Sequence, residues 1–314
     1  MPRNEILITE NLTKKFGRFT ALNKLNIRIK ENTCVGYLGP NGSGKSTTIK
    51  ILTGLLRPTF GSAQIFGFDI RKNSRFALSN VGVVVETPEF NPYLTPKEVL
   101  SYLGKLRGMS THELPLRIKD VLQQMKMEDW QQQKIGKFSK GMKQRIALAA
   151  SLLHDPQLLI VDEPASGLDP RGIIEVREII KELKKNGKTI FMSSHLLNET
   201  QEVCDMVALI DKGNLLKFDT VENISKMTKN LKIKIELVDE ASQSQLSSIS
   251  EFEGVNSIKQ ESSHLLEVEF EGGIKQKAEF LKYLHELGLK ISTFSSNDID
   301  LEALYLDLVS ESVR

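Results

Sequence analysis

Apolar and polar residues alternate in "EILITE" (5–10) and "LNIRIK" (25–30), the period-two pattern of strands with one buried face. The run "TCVGYL" (33–38) is apolar throughout and predicts a strand buried on both faces that ends in a glycine-rich loop. The period becomes helical in "STTIKILTGLL" (46–56), which "RPTFGS" stops with proline and glycine. From Pro96 to His154 the pattern reads almost wholly as helix, in "PKEVLSYLGKLRGM", "PLRIKDVLQQMKM" and a segment opening at "KFSKGMKQRIALA". Apolar strands and helices then alternate: "QLLIVDEP", a helix from Arg171 to Lys185, "TIFMSS", a helix around "NETQEVC", and "MVALID". The expectation is an α/β fold in which a parallel, helix-covered sheet is preceded by antiparallel strands and interrupted by a helical insertion at about 96–154.

Polarity rises at "TVENISKMTKN", which predicts a linker at 220–230 after a first domain spanning 1–219. Residues 231–314 continue as strand "KIKIELV", helix "QSQLSSIS", strands "VNSIKQE" and "LLEVEFE", helix "KQKAEFLKYLHEL" and strand "KISTFS". That β-α-β-β-α-β order predicts a small ferredoxin-like α+β domain, followed by a last helix in "DLEALYLDLVSE". No catalytic motif falls in this second part.

With 314 residues, 40% apolar and 26% charged, the chain has the profile of a soluble globular protein large enough for two domains. A net charge of +2 gives no general attraction to nucleic acid or acidic lipid. The longest apolar runs are strand-sized, far short of the roughly 20 residues that span a bilayer, and the N-terminus has no apolar targeting core. Cys34 and Cys204 lack metal-ligand or disulfide spacing and are expected to be buried as small hydrophobes, as in a reducing cytoplasm.

The loop Gly39-Pro40-Asn41-Gly42-Ser43-Gly44-Lys45-Ser46-Thr47 fits G-x-x-x-x-G-K-[ST] between a predicted strand and a predicted helix. Its glycine amides can wrap phosphates, Lys45 can reach the β- and γ-phosphates, and the Ser46 hydroxyl can hold magnesium. In "LLIVDEP" four apolar residues carry the strand through the core and leave Asp162 and Glu163 at its carboxyl end, where open α/β sheets gather ligands. Asp162 can hold the metal, and Glu163 can accept a proton from water attacking the γ-phosphate. His195 follows the next core strand and should emerge at the same edge. A second anion-binding segment opens at Ser139, Lys140 and Gly141: small residues leave amides uncovered at a helix N-terminus, and Lys140, Lys143 and Arg145 add positive charge. One nucleotide does not need two cradles from one chain.

In this order the residues from about Glu5 to Asp219 resemble the ATP-binding cassette (ABC) ATPases. The resemblance makes "GPNGSGKST" the Walker A loop, "FSKGMKQR" the signature, "LLIVDEP" the Walker B strand, "SGLD" with Asp169 the D-loop, and His195 the switch histidine. Phe16 takes the aromatic position that stacks on adenine. The family's fold is a P-loop core with an antiparallel β subdomain and a helical subdomain, and its cofactors are ATP and Mg2+. Two such subunits pack head to tail, so that the signature of one caps the γ-phosphate held by the Walker A loop of the other. The implied partners are a multi-span membrane permease and a second copy of the chain or a homologous subunit, with no nucleic acid. The implied location is peripheral, on the cytoplasmic face of the cell membrane.

The signature reads Phe138-Ser139-Lys140-Gly141-Met142 where Leu-Ser-Gly-Gly-Gln is usual in the family. Glu86 stands where the family's Q-loop glutamine contacts magnesium and the attacking water; a carboxylate can do both, with added negative charge beside ATP. These departures resemble the ATPases of exporters for drugs and antibiotics, including bacitracin-resistance systems. The stretch between Lys45 and Ser139 is too short for the coiled coil of a chromosome-maintenance ATPase, and a metabolic kinase would leave the signature unexplained. An importer subunit, or a soluble regulatory ATPase of the same family, remains the alternative.

Overall fold

The computed structural model describes residues 5–85, 89–195, 200–225, 230–272 and 274–297. The chain divides into two compact units, Met1–Val221 and Glu222–Arg314. In the first, β1 (Glu5–Phe16) and β2 (Phe19–Lys30) form an antiparallel hairpin, joined by β4 (Phe60–Ile65) and β5 (Phe68–Asp69) into a four-stranded sheet. The main sheet comprises β3 (Cys34–Leu38), β6 (Val81–Val84), β7 (Leu158–Val161), β8 (Thr189–Ser194), β9 (Met206–Asp211) and β10 (Asn214–Thr220), in the order β10-β9-β3-β8-β7-β6. All neighbours are parallel except β10, which pairs antiparallel with β9 at one edge. As the apolar runs imply, β3 and β7 are buried along their whole length.

Helix α1 (Lys45–Leu52) follows the glycine loop directly, and α2 (Ser74–Leu78) is a single short turn. The region from Pro96 to His154 is less helical than its pattern suggests. It holds α3 (Pro96–Leu106), α4 (Leu114–Gln124) and α5 (Lys140–Leu152), separated by turns and two single 3-10 turns. Thr95 starts α3 with a capping box closed by Glu98, while a single hydrophobic cluster joins Leu100, Ile118, Val121 and Ile146. Helix α6 (Pro170–Lys185) covers the sheet through Val176, Ile179, Ile180 and Leu183. Of the helix expected around "NETQEVC", Asn198 and Glu199 lie outside the described residues, Thr200 and Gln201 are helical, and the chain turns at Glu202 and Val203; "DLEALYLDLVSE" lies wholly outside the described residues.

The second unit has strands β11 (Asn230–Leu237), β12 (Val255–Ser262), β13 (Leu265–Glu271) and β14 (Ile291–Asn297), with helices Gln243–Ser250 and Ile274–Glu286. Its antiparallel sheet has the order β12-β13-β11-β14, the split-βαβ arrangement of a ferredoxin-like fold. Ile233, Ile235, Val268, Phe270 and Phe280 form its own core. The polar stretch at 220–230 is not uniformly irregular: a short helix, Val221–Ser225, starts where β10 ends.

Spacing along the chain hides one proximity. Cys34 and Cys204 are both buried free thiols, as expected of small hydrophobes, yet their Sγ atoms lie 3.5 Å apart. Burial and the neighbouring Cys34 push the Cys204 thiol well above its ordinary range.

Candidate functional site

Strand β3 runs straight into the phosphate loop, and the loop's backbone explains its glycines. Gly42 and Gly44 have φ of 83° and 108°, a region that L side chains avoid. A Cβ at Gly44 would lie 2.6 Å from the carbonyl of Ala21, and one at Gly39 would lie 2.2 Å from that of Ile210. The hydroxyl of Ser43 is buried without a hydrogen-bond partner inside this loop. Thr48, which the motif does not include, donates to the Gly44 carbonyl and meets the Tyr37 hydroxyl at 3.0 Å, tying the start of α1 to β3.

Lys45 is buried and turned back into the loop. Its ammonium donates to the carbonyls of Gly39 (2.7 Å) and Pro40 (3.1 Å) and lies 3.3 Å from Glu163 Oε1. Asp162 and Glu163 follow the last residue of β7, as the sequence predicts, and His195 follows β8. The imidazole Nδ1 of His195 is bonded to Glu163 Oε2 at 2.5 Å. Lys45, Glu163 and His195 therefore form one continuous polar chain, although they are far apart in sequence.

Glu163 has φ of +46°, a left-handed conformation that costs a non-glycine residue roughly 1 kcal/mol or more. It is held there by Ser193, whose hydroxyl accepts the Glu163 N–H at 2.9 Å and donates to Asp162 Oδ1. Sequence reasoning singled out His195 in "FMSSH" and missed Ser193. The available signal was period two on a strand, which puts positions 193 and 195 on the same side.

A cleft of about 270 Å³ is lined by Phe16, Phe19, Ala21, Asn41, Gly42, Gly44, Lys45, Ser46, Thr47 and Glu163. The Phe16 ring is half-exposed, with the Lys14 ammonium 4.8 Å from its centroid. Phe19, across the hairpin, is a second exposed ring on this cleft that the sequence reading did not include. A larger cleft of about 590 Å³ on the other side of Glu163 is bordered by Lys140, Lys143, Gln144, Asp162, Ser166 and Phe90.

The signature segment divides between two places. Lys140 faces the cleft of Asp162 and Glu163 in its own chain, whereas Ser139 and Gly141 line a separate depression with Asp169, Arg171 and Gly172. No residue of the phosphate loop borders that depression. The opening of α5 is also less bare than expected. Ser139 is its N-cap and accepts the Met142 N–H at 3.2 Å, so one amide is already covered within the chain. Asp169 likewise caps α6 through the Gly172 N–H. The proposed Q-loop residue, Glu86, lies outside the described residues.

A sequence profile described as ABC transporter matches residues 22–166. The bacitracin transport ATP-binding protein BcrA of Bacillus licheniformis is 41% identical over 71% of this chain and 72% of its own. The linearmycin resistance ATP-binding protein LnrL of Bacillus subtilis (strain 168) is 35% identical over 68% of this chain and 69% of its own. Among solved structures, a cassette from Clostridium perfringens, part of the cbiONQ ABC transporter complex, matches with TM-score 0.66 and 26% identity over 72% of this chain and 92% of its own. A dimeric ATP-binding cassette in a post-hydrolysis state, bound to ADP and phosphate, matches with TM-score 0.62 and 26% identity over 69% of this chain and 99% of its own. With a glycine cradle closed around Lys45 and an Asp-Glu pair at the carboxyl end of β7, the chain belongs to the ABC transporter family, as an ATP-binding and ATP-hydrolysing protein.

Proposed function

We propose that this ATPase drives a membrane exporter of drugs, antibiotics or related compounds, working as a dimer on the cytoplasmic face of the cell membrane beside a separate multi-span permease. Support for the cargo class comes from relatives named for bacitracin transport and linearmycin resistance. Among the described residues no helix is long and apolar enough to cross a membrane, so translocation would need a partner that spans it. The nucleotide-binding domain would be 1–219, followed by a linker at 220–230, with 231–314 as an accessory domain.

The observation that carries the dimer is the separation of the two anion sites. Ser139 and Gly141 border a depression with no phosphate-loop residue, so capping of a nucleotide held by Lys45 is assigned to the signature of a second subunit. Phe16 would stack on adenine, and the loop amides would hold the phosphates. Their oxygens would compete for the Lys45 ammonium with the loop carbonyls and Glu163. The buried, partnerless Ser43 hydroxyl and the open space that a Cβ would enter at Gly42 fit phosphate oxygens. The Ser46 hydroxyl and the Asp162 carboxylate are hard oxygen donors suited to Mg2+, which supplies charge neutralisation on the phosphates when bound; Glu86 would join them. Glu163 would take the proton from the attacking water, and His195, bonded to its carboxylate, would orient it.

Mixing a Ser139→Arg subunit with a Lys45→Ala subunit tests the arrangement, since each mixed dimer would keep one composite site. Phosphate release should return in the mixture although neither variant is active alone. Mixtures as inactive as the separate variants would refute shared sites that fire singly. Co-purification of a multi-span membrane protein from native membranes tests the transport role; its absence would favour a soluble regulatory ATPase.

A further inference from the structure

We propose that Ser193 is a positioning residue for ATP hydrolysis, fixing Asp162 and Glu163 together through a single hydroxyl. The inference rests on the reading of Asp162 as metal ligand and Glu163 as base. Parallel pairing of β7 and β8 sets Val161 beside Met192, so the next residues along, Asp162 and Ser193, leave the paired region together. Ser193 is fully buried, and its one proton goes to Asp162 Oδ1 while a lone pair takes the Glu163 N–H. A hydroxyl has one donor and two acceptor positions, so both bonds form at once and neither can rotate away without breaking the other.

The consequence is a grip on Glu163 at both ends from one strand. Ser193 holds its main chain, and His195, two residues along, holds its carboxylate. Glu163 needs that grip because its φ of +46° is one that a non-glycine residue keeps only when neighbouring bonds over-determine it. Released, the residue would relax toward ordinary extended or helical values, and the carboxylate would swing off the line set by Lys45 and His195. The same release would leave the Asp162 carboxylate without the donor that orients Oδ1. Partners of this outer kind, which touch a ligand's holder rather than the ligand, commonly change metal affinity or activity about 10- to 100-fold.

Ser193→Ala removes the hydroxyl at almost constant volume, and Ser193→Thr keeps it. In Ser193→Ala, kcat should fall about 10- to 100-fold with KM for ATP within about threefold, and Mn2+ affinity in the presence of ADP should fall about tenfold. Amide exchange at Glu163 in the nucleotide-free protein should quicken by a similar factor. Ser193→Thr should recover most of kcat. Wild-type kcat and Mn2+ affinity in Ser193→Ala would overturn the proposal. So would a Ser193→Thr chain as inactive as Ser193→Ala, since the defect would then be one of packing. Should Ser193→Ala fail to fold, Ser193→Cys, with a weak donor of similar shape, carries the same measurements. Asp162→Asn and Glu163→Gln run alongside separate the two ideas. Full turnover in those variants would sink the underlying reading of the site, whereas their inactivity beside an unaffected Ser193→Ala would sink the role of Ser193 alone.

Discussion

Gly141→Ala should stabilise the chain and slow it at the same time. Gly141 is the second residue of α5, and a Cβ built there meets only Gly172 Cα at 3.8 Å and Ser139 Oγ at 3.9 Å, ordinary contacts that require nothing to move. Alanine is favoured over glycine in a helix by up to about 1 kcal/mol, and roughly half of that is expected in the first turn. A gain of about 0.5 kcal/mol raises the unfolding midpoint of a domain this size by about 1 to 2 °C. ATP binding to the single chain should be unchanged, because Gly141 does not border the cleft of the phosphate loop. Hydrolysis should nevertheless fall about 10- to 100-fold, since the added methyl would hold the partner's γ-phosphate away from the α5 amides; outright loss of one such donor costs about 10² to 10³. Differential scanning fluorimetry, nucleotide-binding calorimetry and steady-state phosphate release measure the three quantities on one preparation. Higher stability with lower turnover cannot come from damage to the fold. Unchanged turnover would refute the placing of Gly141 against phosphate, and a lowered midpoint would refute the contact geometry.

Glu163→Gln keeps hydrogen-bonding atoms toward Lys45 and His195 but removes the carboxylate proposed as base, so turnover should drop about 10²- to 10⁴-fold with ATP affinity retained; turnover within threefold of the parent would show that another group activates the water. His154 is held down to about 4 by burial and then by Arg107, so its neutral form is favoured in the folded chain. Its contribution to stability is whole above pH about 6.5 and is lost as pH falls toward 4, amounting to about 1 to 2 kcal/mol once solvent screening is allowed for. The slope of stability against pH between those limits should therefore flatten in His154→Gln, and denaturant melts showing identical slopes in the two proteins would refute this. If Glu86 takes the Q-loop position that the family resemblance implies, Glu86→Gln removes a negative charge beside ATP, and the variant should stay active with a shifted magnesium optimum; superimposable magnesium profiles would put Glu86 outside the site.

Local physics made much of this protein legible from its sequence. Gly42 and Gly44 announce a loop because only glycine accepts their backbone angles without strain, and that constraint is written into single residues. Apolar runs at 34–38 and 158–161 announce buried strands because a parallel sheet covered on both faces leaves no polar side to alternate with. The β-α-β-β-α-β order of the second unit followed from periodicity alone, since strand and helix bury different spacings of side chain.

What the sequence left undetermined are meetings across the sheet. Strand order β3-β8-β7 is not contained in any one strand's pattern, yet it alone brings Ser193 to Asp162 and His195 to Glu163. The same order sets Lys45, on the helix after β3, against Glu163 at the end of β7. Cys34 and Cys204 look unrelated along the chain because their spacing reports nothing about which segments meet at the start of the interior strand β3. The left-handed turn at Glu163 is likewise invisible in a residue type that disfavours it: its strain persists only because bonds from β8 hold it, and those bonds exist only once the sheet has formed.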